Sequence, residues 1–146
     1  MKTYTLPRSG GTSVEFRGSL IADGGFHDNH LFDVSPKGKP IGDIQRGHRL
    51  ELYRTEGGRL ILHIWFMSGW ENEPDYFETQ PLGSMKEVAD YLKAYGSERI
   101  MSQFVGPPAG SLNAALNREQ IIRGYLRQYE AAVTDLLGDS QPERID

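Results

Sequence analysis

Four side chains with the chemistry of metal ligands or acid–base groups lie within seven positions of one another: His27, Asp28, His30 and Asp33. Imidazole nitrogens and carboxylate oxygens both bind zinc, and both transfer protons in general acid–base catalysis. The surrounding residues, DGGFHDNH, disfavour a helix, and on a strand His27 and His30 would point to opposite faces. Only an irregular loop would bring these groups to one point. We therefore favour a recognition loop or an edge strand here, without catalytic residues or metal ligands.

The alternative is a small metal-dependent or acid–base hydrolase. Its catalytic residues would be His27, Asp28 and His30, and its metal ligands would be His27, His30 and Asp33. A further group would come from one of the other two histidines, His48 and His63. The chain has no cysteine, which excludes thiolate catalysis and sulfur-ligated metal sites, and we expect no cofactor.

A second acidic cluster follows Trp70, with Glu71, Glu73 and Asp75 at alternate positions. This spacing resembles the start of a calcium-binding loop, in which the sixth position is glycine and the twelfth is glutamate. The chain has tyrosine and leucine at those two positions. We therefore predict a solvated acidic loop.

The clearest structural element is a β-hairpin over residues 48–67, HRLELYRTEGGRLILHIWFM. Apolar residues alternate in both arms, and the glycines between them suit a turn with positive φ. The second arm is apolar on both faces, which is typical of a strand that is covered on both sides. Two interpretations of one of these faces are open. It stacks a planar ligand, with Tyr53, His63, Trp65 and Trp70 as the binding residues. Alternatively, it forms a second core under the C-terminal helix. We favour the second core.

A further strand is predicted before the hairpin, over residues 12–22. Its period of two places Val14, Phe16, Leu20 and Ala22 on one buried face. Gly18 lies on that face and indicates a bulge or a close approach of another backbone. A short strand over residues 76–80 follows the hairpin.

The second half of the chain has helical periodicity. Ser84 and Glu87 form a capping box, and the helix that follows is predicted to end at Gly96. A last helix begins near Asn113 or Asn117 and has a broad apolar stripe. The centre of the stripe is Ile122, Leu126, Tyr129, Val133 and Leu136.

These elements predict an α+β fold: a twisted antiparallel β-sheet of four to five strands, packed by two to three C-terminal helices. Residues 1–138 form one domain. Residues 139–146 are polar, and we expect them to be a disordered tail.

Charge and hydropathy limit the partners. Sixteen basic and twenty acidic residues give a net charge of −4, and the basic residues are scattered, so the sequence does not support nucleic acid as a partner. No apolar run approaches the roughly 18 residues that span a membrane. The chain begins without the apolar core of a signal peptide. We expect a cytoplasmic protein that does not contact membranes.

Two fragments, FRGSLIA at residues 16–22 and ELYRTEGGRLILH at residues 51–63, resemble parts of a known group of proteins. Their pattern is similar to that of small uncharacterised proteins of plasmids, phages and other mobile elements, the EXLDI proteins among them. The resemblance implies a fold and a mobile-element setting, and it brings no catalytic residues. The segment between the two fragments is longer here than the resemblance implies.

The leading hypothesis is a non-enzymatic interaction module, an accessory protein of a mobile genetic element. It would act as a homodimer, through a sheet or helix surface, or by binding another protein. The absent catalytic motifs, the strand with two apolar faces and the long helical stripe favour this hypothesis. Besides the hydrolase, a further alternative is a small-molecule binder that uses the face of Tyr53, His63 and Trp65.

Overall fold

The computed structural model describes residues 1–28, 46–69, 73–100 and 112–140. Five antiparallel strands form one sheet in chain order: β1 (Lys2–Leu6), β2 (Val14–Asp28), β3 (Arg46–Thr55), β4 (Leu60–Ser68) and β5 (Tyr76–Leu82). Two α-helices follow, α1 (Met85–Ala94) and α2 (Leu112–Ser140), and a π-helical segment (Tyr95–Ile100) continues α1. The predicted α+β fold is confirmed.

Strands β3 and β4 form the predicted hairpin. Leu50 pairs with Ile64 and Leu52 pairs with Leu62, so one face of the hairpin is a row of buried aliphatic residues. The turn places Gly58 at a φ of 89°, a conformation that glycine adopts without steric cost. The hairpin is confirmed, as is the strand that follows it.

The two apolar faces of β4 belong to two different cores. Leu60, Leu62 and Ile64 pack with residues of α1, the π-helical segment and α2. On the opposite face, Ile61 packs with Tyr53 and Leu6 and with partly buried aromatic residues of β1 and β2. The second core that we favoured therefore exists, but its position under the C-terminal helix is wrong. It lies under β1, because α2 covers the leucine face.

A β-bulge in β2 assigns the ends of this strand to different cores. Leu20 pairs with Tyr53 and Ala22 pairs with Leu52, with a register shift between them. Because Tyr53 and Leu52 are neighbours on β3, they face opposite sides of the sheet. The prediction that Val14, Phe16, Leu20 and Ala22 share one buried face is therefore wrong, since Ala22 packs in the helix-side core and Phe16 in the second core. The close approach at Gly18 is confirmed, since a Cβ atom there would lie 2.2 Å from a backbone oxygen of β3.

The sheet curls until the residues after β1 meet β5. The Ser9 amide donates to the Phe77 carbonyl oxygen at 2.9 Å, and Arg8 Nη2 donates to the Thr79 carbonyl oxygen at 2.7 Å. The Thr79 hydroxyl donates to the Pro7 carbonyl oxygen at 2.9 Å. These contacts close one end of the concave face over the second core.

Helix α1 begins as the capping box predicts. The Ser84 hydroxyl accepts from the Glu87 amide at 3.2 Å, and the Glu87 carboxylate accepts from the Gly83 amide at 2.6 Å. The prediction that the helix ends at Gly96 is wrong, because the chain continues as the π-helical segment. Gly96 permits close packing: a Cβ atom there would lie 2.9 Å from the Tyr129 ring.

Helix α2 packs on the sheet through an apolar stripe, as predicted, whose buried members are Tyr125, Tyr129, Ala132 and Leu136. The predicted centre of the stripe is wrong for Ile122, Leu126 and Val133, which are only partly buried. The helix approaches β2 so closely that a Cβ atom at Gly24 would lie 2.5 Å from the Ala132 carbonyl oxygen. It ends at Ser140, beyond the predicted boundary at residue 138, and residues 141–146 of the predicted tail lie outside the described residues. In the described part of the chain, no helix has the length and apolar character to cross a membrane.

Replacing Gly96 by alanine tests the packing of the π-helical segment. Tyr129 cannot move away freely, because its hydroxyl donates to the Leu92 carbonyl oxygen at 2.6 Å. We expect Gly96→Ala to lower the free energy of unfolding by about 1–3 kcal/mol, as measured by urea denaturation. Gly124→Ala is the matched control, since its Cβ would meet only a flexible arginine atom at 4.0 Å. Equal stability of the two variants would contradict this explanation.

Candidate functional site

The concave face of the sheet is open at the end remote from the second core. A cleft of about 460 Å³ lies there, which we call the sheet cleft. Its rim consists of Asp23, His27, Arg49, Trp65 and Met67. A volume of this size is in the range of small-molecule sites.

Part of the floor of the sheet cleft is bare backbone, because Gly25 of β2 is exposed there and has no side chain. Gly25 pairs with Arg49, and Gly47 lies between His27 and Met67 in the register. Gly47 has no room for a side chain, since a Cβ atom there would lie 2.4 Å from the Phe26 carbonyl oxygen and 2.9 Å from Nδ1 of the His27 side chain. At Gly25 the corresponding distance, to the His48 carbonyl oxygen, is 3.0 Å.

The indole of Trp65 is held in place on the rim. Its Nε1 donates to Asp75 Oδ2 at 2.9 Å, and its ring stacks on Phe77 with 5.9 Å between centroids and 19° between planes. A side chain fixed in this way loses little conformational freedom when a ligand contacts it.

Arg49 is directed away from Trp65 by two carboxylates. Its Nη2 donates to Asp23 Oδ2 at 3.0 Å, and its Nε donates to Glu51 Oε2 at 3.3 Å. Trp65 and Arg49 are paired residues on neighbouring strands, and their hydrogen bonds hold Trp65 toward Asp75 and Arg49 toward Asp23. Sequence reasoning missed Arg49 and the cleft, because both depend on the register of three strands.

The four binding residues that the sequence predicts have different positions. Tyr53 is buried in the second core, where burial raises the pKa of its hydroxyl. His63 is also buried, and Trp65 lines the sheet cleft. Trp70 lies outside the described residues. Tyr53, His63 and Trp65 share one face of the sheet, as the hairpin pattern predicts. Of these three residues, Trp65 lines the open cleft, whereas Tyr53 and His63 are buried.

His63 supports the closure of the sheet. Its Nδ1 lies 2.7 Å from Thr79 Oγ1, whose proton is donated to the Pro7 carbonyl oxygen. The threonine oxygen must therefore accept from His63, which fixes the proton of the neutral imidazole on Nδ1. Burial lowers the pKa of His63, in agreement with this neutral form.

Of the residues predicted for a hydrolase, His27 is on β2 and exposed at the cleft rim. The side chain of Asp28 and all of His30 and Asp33 lie outside the described residues. His63 shares the concave face but is four residues along the sheet from His27, about 13 Å. Within the described ranges, no three His, Asp or Glu side chains are arranged to hold a metal ion.

His48 is on the opposite, helix-facing side of the sheet and is fully buried. Its Nδ1 lies 2.6 Å from the Tyr125 hydroxyl, and its Nε2 lies 2.8 Å from the Tyr95 hydroxyl. A neutral imidazole satisfies both contacts, donating at one nitrogen and accepting at the other. Burial lowers the pKa of His48 to about 3. The structure thus separates His48 from His27.

The acidic loop differs from its prediction. Glu73 is buried and forms a bidentate ion pair with Arg46: Nε donates to Oε1 at 2.9 Å, and Nη2 donates to Oε2 at 3.1 Å. The Ser68 hydroxyl donates to the same carboxylate at 2.6 Å. The prediction of a solvated loop is therefore wrong for Glu73, because its distant arginine partner was not visible in the local sequence. Asp75 is exposed, as predicted, and holds Trp65.

A second cavity, of about 360 Å³, lies on the helix-facing side of the sheet edge, and we call it the helix-side pocket. Strand β5, α1 and the π-helical segment form it. Its lining residues are Glu78, Tyr91, Ala94, Tyr95, Glu98 and Arg99. No pattern in the sequence predicted this pocket, because residues of three elements form it. The local feature that could have indicated this pocket is Glu78, a charged residue on the helix-facing side of β5.

Comparison of the chain with models of known protein families finds no match, and comparisons with curated proteins and with solved structures find none. The fold and the two cavities define an α+β domain with a curled antiparallel sheet. The resemblance of residues 16–22 and 51–63 to mobile-element proteins stays an expectation.

The buried position of His48 makes stability depend on pH. The unfolded chain binds a proton below pH 6.5 that the folded chain excludes until about pH 3, so acid favours unfolding. The stabilisation is complete above pH 6.5 and is lost toward pH 3 by about 1.4 kcal/mol per pH unit. We expect urea denaturation to give a free energy of unfolding about 2 kcal/mol lower at pH 5 than at pH 8.

His48→Gln is the matched variant, because its amide both donates and accepts. We expect a smaller pH dependence in this variant, with a residual part from His63, whose pKa is lowered in the same direction. An unchanged slope between pH 5 and pH 8 would contradict the role of His48.

Proposed function

We propose that this protein is a non-enzymatic binding module whose ligand occupies the sheet cleft. The observation that carries the proposal is an open cleft in which Trp65 and Arg49, each held by carboxylates, lie side by side next to the exposed backbone of Gly25. The closed end of the same face is filled by the second core, so the open end is the part of the predicted surface that admits a ligand.

The shifts in pKa support binding over acid–base catalysis by the buried groups. Burial lowers the pKa of His48 and His63 and raises that of Tyr95 and Tyr129. All four shifts favour the uncharged form and move the pKa away from neutral pH. A general acid or base works best with a pKa near the operating pH. These side chains therefore suit a structural role.

The ligand that suits the sheet cleft is a planar aromatic ring. Trp65 offers a ring for stacking, and Arg49 offers a guanidinium plane, which also stacks on aromatic groups. Asp23 and Glu51 already compensate the charge of Arg49, so a neutral ring fits better than an anion. Met67 adds a polarisable apolar contact at the rim.

Binding of aromatic probes tests this function. We expect indole and adenine to bind, whereas cyclohexanol, which is not planar, binds at least tenfold more weakly. Trp65→Ala removes the stacking surface. We expect it to lower the affinity for indole and adenine about tenfold, since base stacking contributes about 1–3 kcal/mol. Calorimetry gives the affinities, and Tyr91→Phe in the other cavity is the control.

A second variant blocks the cleft while every aromatic side chain remains. Gly25→Val places a branched side chain on the exposed floor, and because its Cβ would lie 3.0 Å from the His48 carbonyl oxygen, β2 must shift by a few tenths of an ångström to admit it. We expect this variant to fold, as judged by circular dichroism, and to lose indole binding. Full indole affinity in both Trp65→Ala and Gly25→Val would refute the proposed site.

We further propose that the module acts as a homodimer, in the setting of a mobile genetic element. The mobile-element setting is supported by the sequence resemblance. The dimer is supported by two leucines at the start of α2, Leu112 and Leu116, which are 74% and 48% exposed. They lie one helical turn apart, so they share a face that a helix of another subunit can cover.

Light scattering after size-exclusion chromatography tests the dimer. We expect a mass of two chains for the native protein and of one chain for the double variant Leu112→Glu, Leu116→Glu, because charges at a helix interface oppose association. A native protein of single-chain mass would overturn the homodimer and leave the sheet cleft unaffected.

A further inference from the structure

The helix-side pocket places a carboxylate where the sheet otherwise presents apolar residues. Glu78 pairs with Ile64 of β4, so its side chain lies on the face that α1 and α2 cover. The side chain is partly buried, and the Tyr91 hydroxyl donates a hydrogen bond to it. No cation among the described residues lies within ion-pair distance of this carboxylate. A partly buried negative charge without a cationic partner is costly, and a bound cation lowers that cost.

The walls of the pocket are suited to a cation. Tyr91 and Tyr95 line it, and burial raises the pKa of both hydroxyls, so the rings remain neutral phenols. Arg99 is itself a lining residue, and its guanidinium lies 3.7 Å from the centroid of the neighbouring Tyr76 ring. This contact shows that a cation is accommodated on a tyrosine face here, an arrangement that also recognises organic ammonium groups.

The π-helical segment forms one wall of the pocket. It contributes Tyr95, Glu98 and Arg99, and such segments occur frequently at functional sites. The charged residues of the lining are two glutamates, Glu78 and Glu98, and one arginine, Arg99, so their net charge is −1. The pocket therefore attracts a small cation and repels an anion.

We propose that the helix-side pocket binds an organic ammonium ion, with Glu78 as its counter-ion and the tyrosine rings against its alkyl groups. The site is on the opposite face of the sheet from the sheet cleft and does not depend on it. The cavity of about 360 Å³ admits a tetraalkylammonium group or a short alkyl amine.

A pair of isosteres tests the proposal on the full chain. Choline carries a quaternary ammonium, and 3,3-dimethyl-1-butanol has the same shape with carbon in place of the charged nitrogen. Calorimetry is expected to show choline, tetramethylammonium or methylammonium binding, with the butanol at least tenfold weaker than choline. Amide shifts in NMR spectra locate the bound cation at α1 and the π-helical segment.

Two variants separate the charge from the fold. Glu78→Gln keeps an acceptor for the Tyr91 hydroxyl but removes the negative charge, and we expect it to weaken choline binding about tenfold. Trp65→Ala, in the other cavity, is expected to leave choline affinity unchanged. The proposal is overturned if none of the three ammonium probes binds. Equal binding of choline and the butanol, or unchanged choline affinity in Glu78→Gln, would also overturn it.

Discussion

Strand β4 must be buried on both faces, and the architecture follows from this constraint. The leucine face is covered by the two helices, which pack across the sheet in the usual way for an α+β domain. Among the described residues, the other face is covered by strand residues and not by a helix. The sheet itself curls, so that β1 and the residues after it cover Ile61 and Tyr53. Each apolar face of one strand thus determines the position of a different half of the molecule.

Local periodicity was sufficient to predict much of this fold. The hairpin, the capping box of α1 and the stripe of α2 are patterns within one element, and the structure has all three. The errors arose where a distant residue decides the outcome. The bulge at Leu20 reverses the faces of β2, and Gly96 is required by a tyrosine on another helix. Glu73 is buried because Arg46 neutralises it.

Of the residues that line the sheet cleft, the sequence predicted Trp65 as a binding residue. Alternation along β4 placed Trp65 on the correct face, but it did not distinguish the open end of that face from the filled end. That distinction needs the register of neighbouring strands, which aligns Gly25 and Gly47 next to Arg49 and Met67. The opening at Gly25 therefore follows from its pairing with Arg49 and not from its position in the sequence.

The closure of the sheet at residues 7–9 has a consequence for how the molecule opens. These residues bond to a strand about seventy positions later in the chain, so their contacts carry the largest loop-closure entropy among the strands. In the rest of the sheet, each strand pairs with the strand next to it in the chain, and residues of β2, β3 and β4 pack against the helices. We therefore expect the N-terminal strand to open before the hairpin and the helices, which would expose Tyr53 and His63.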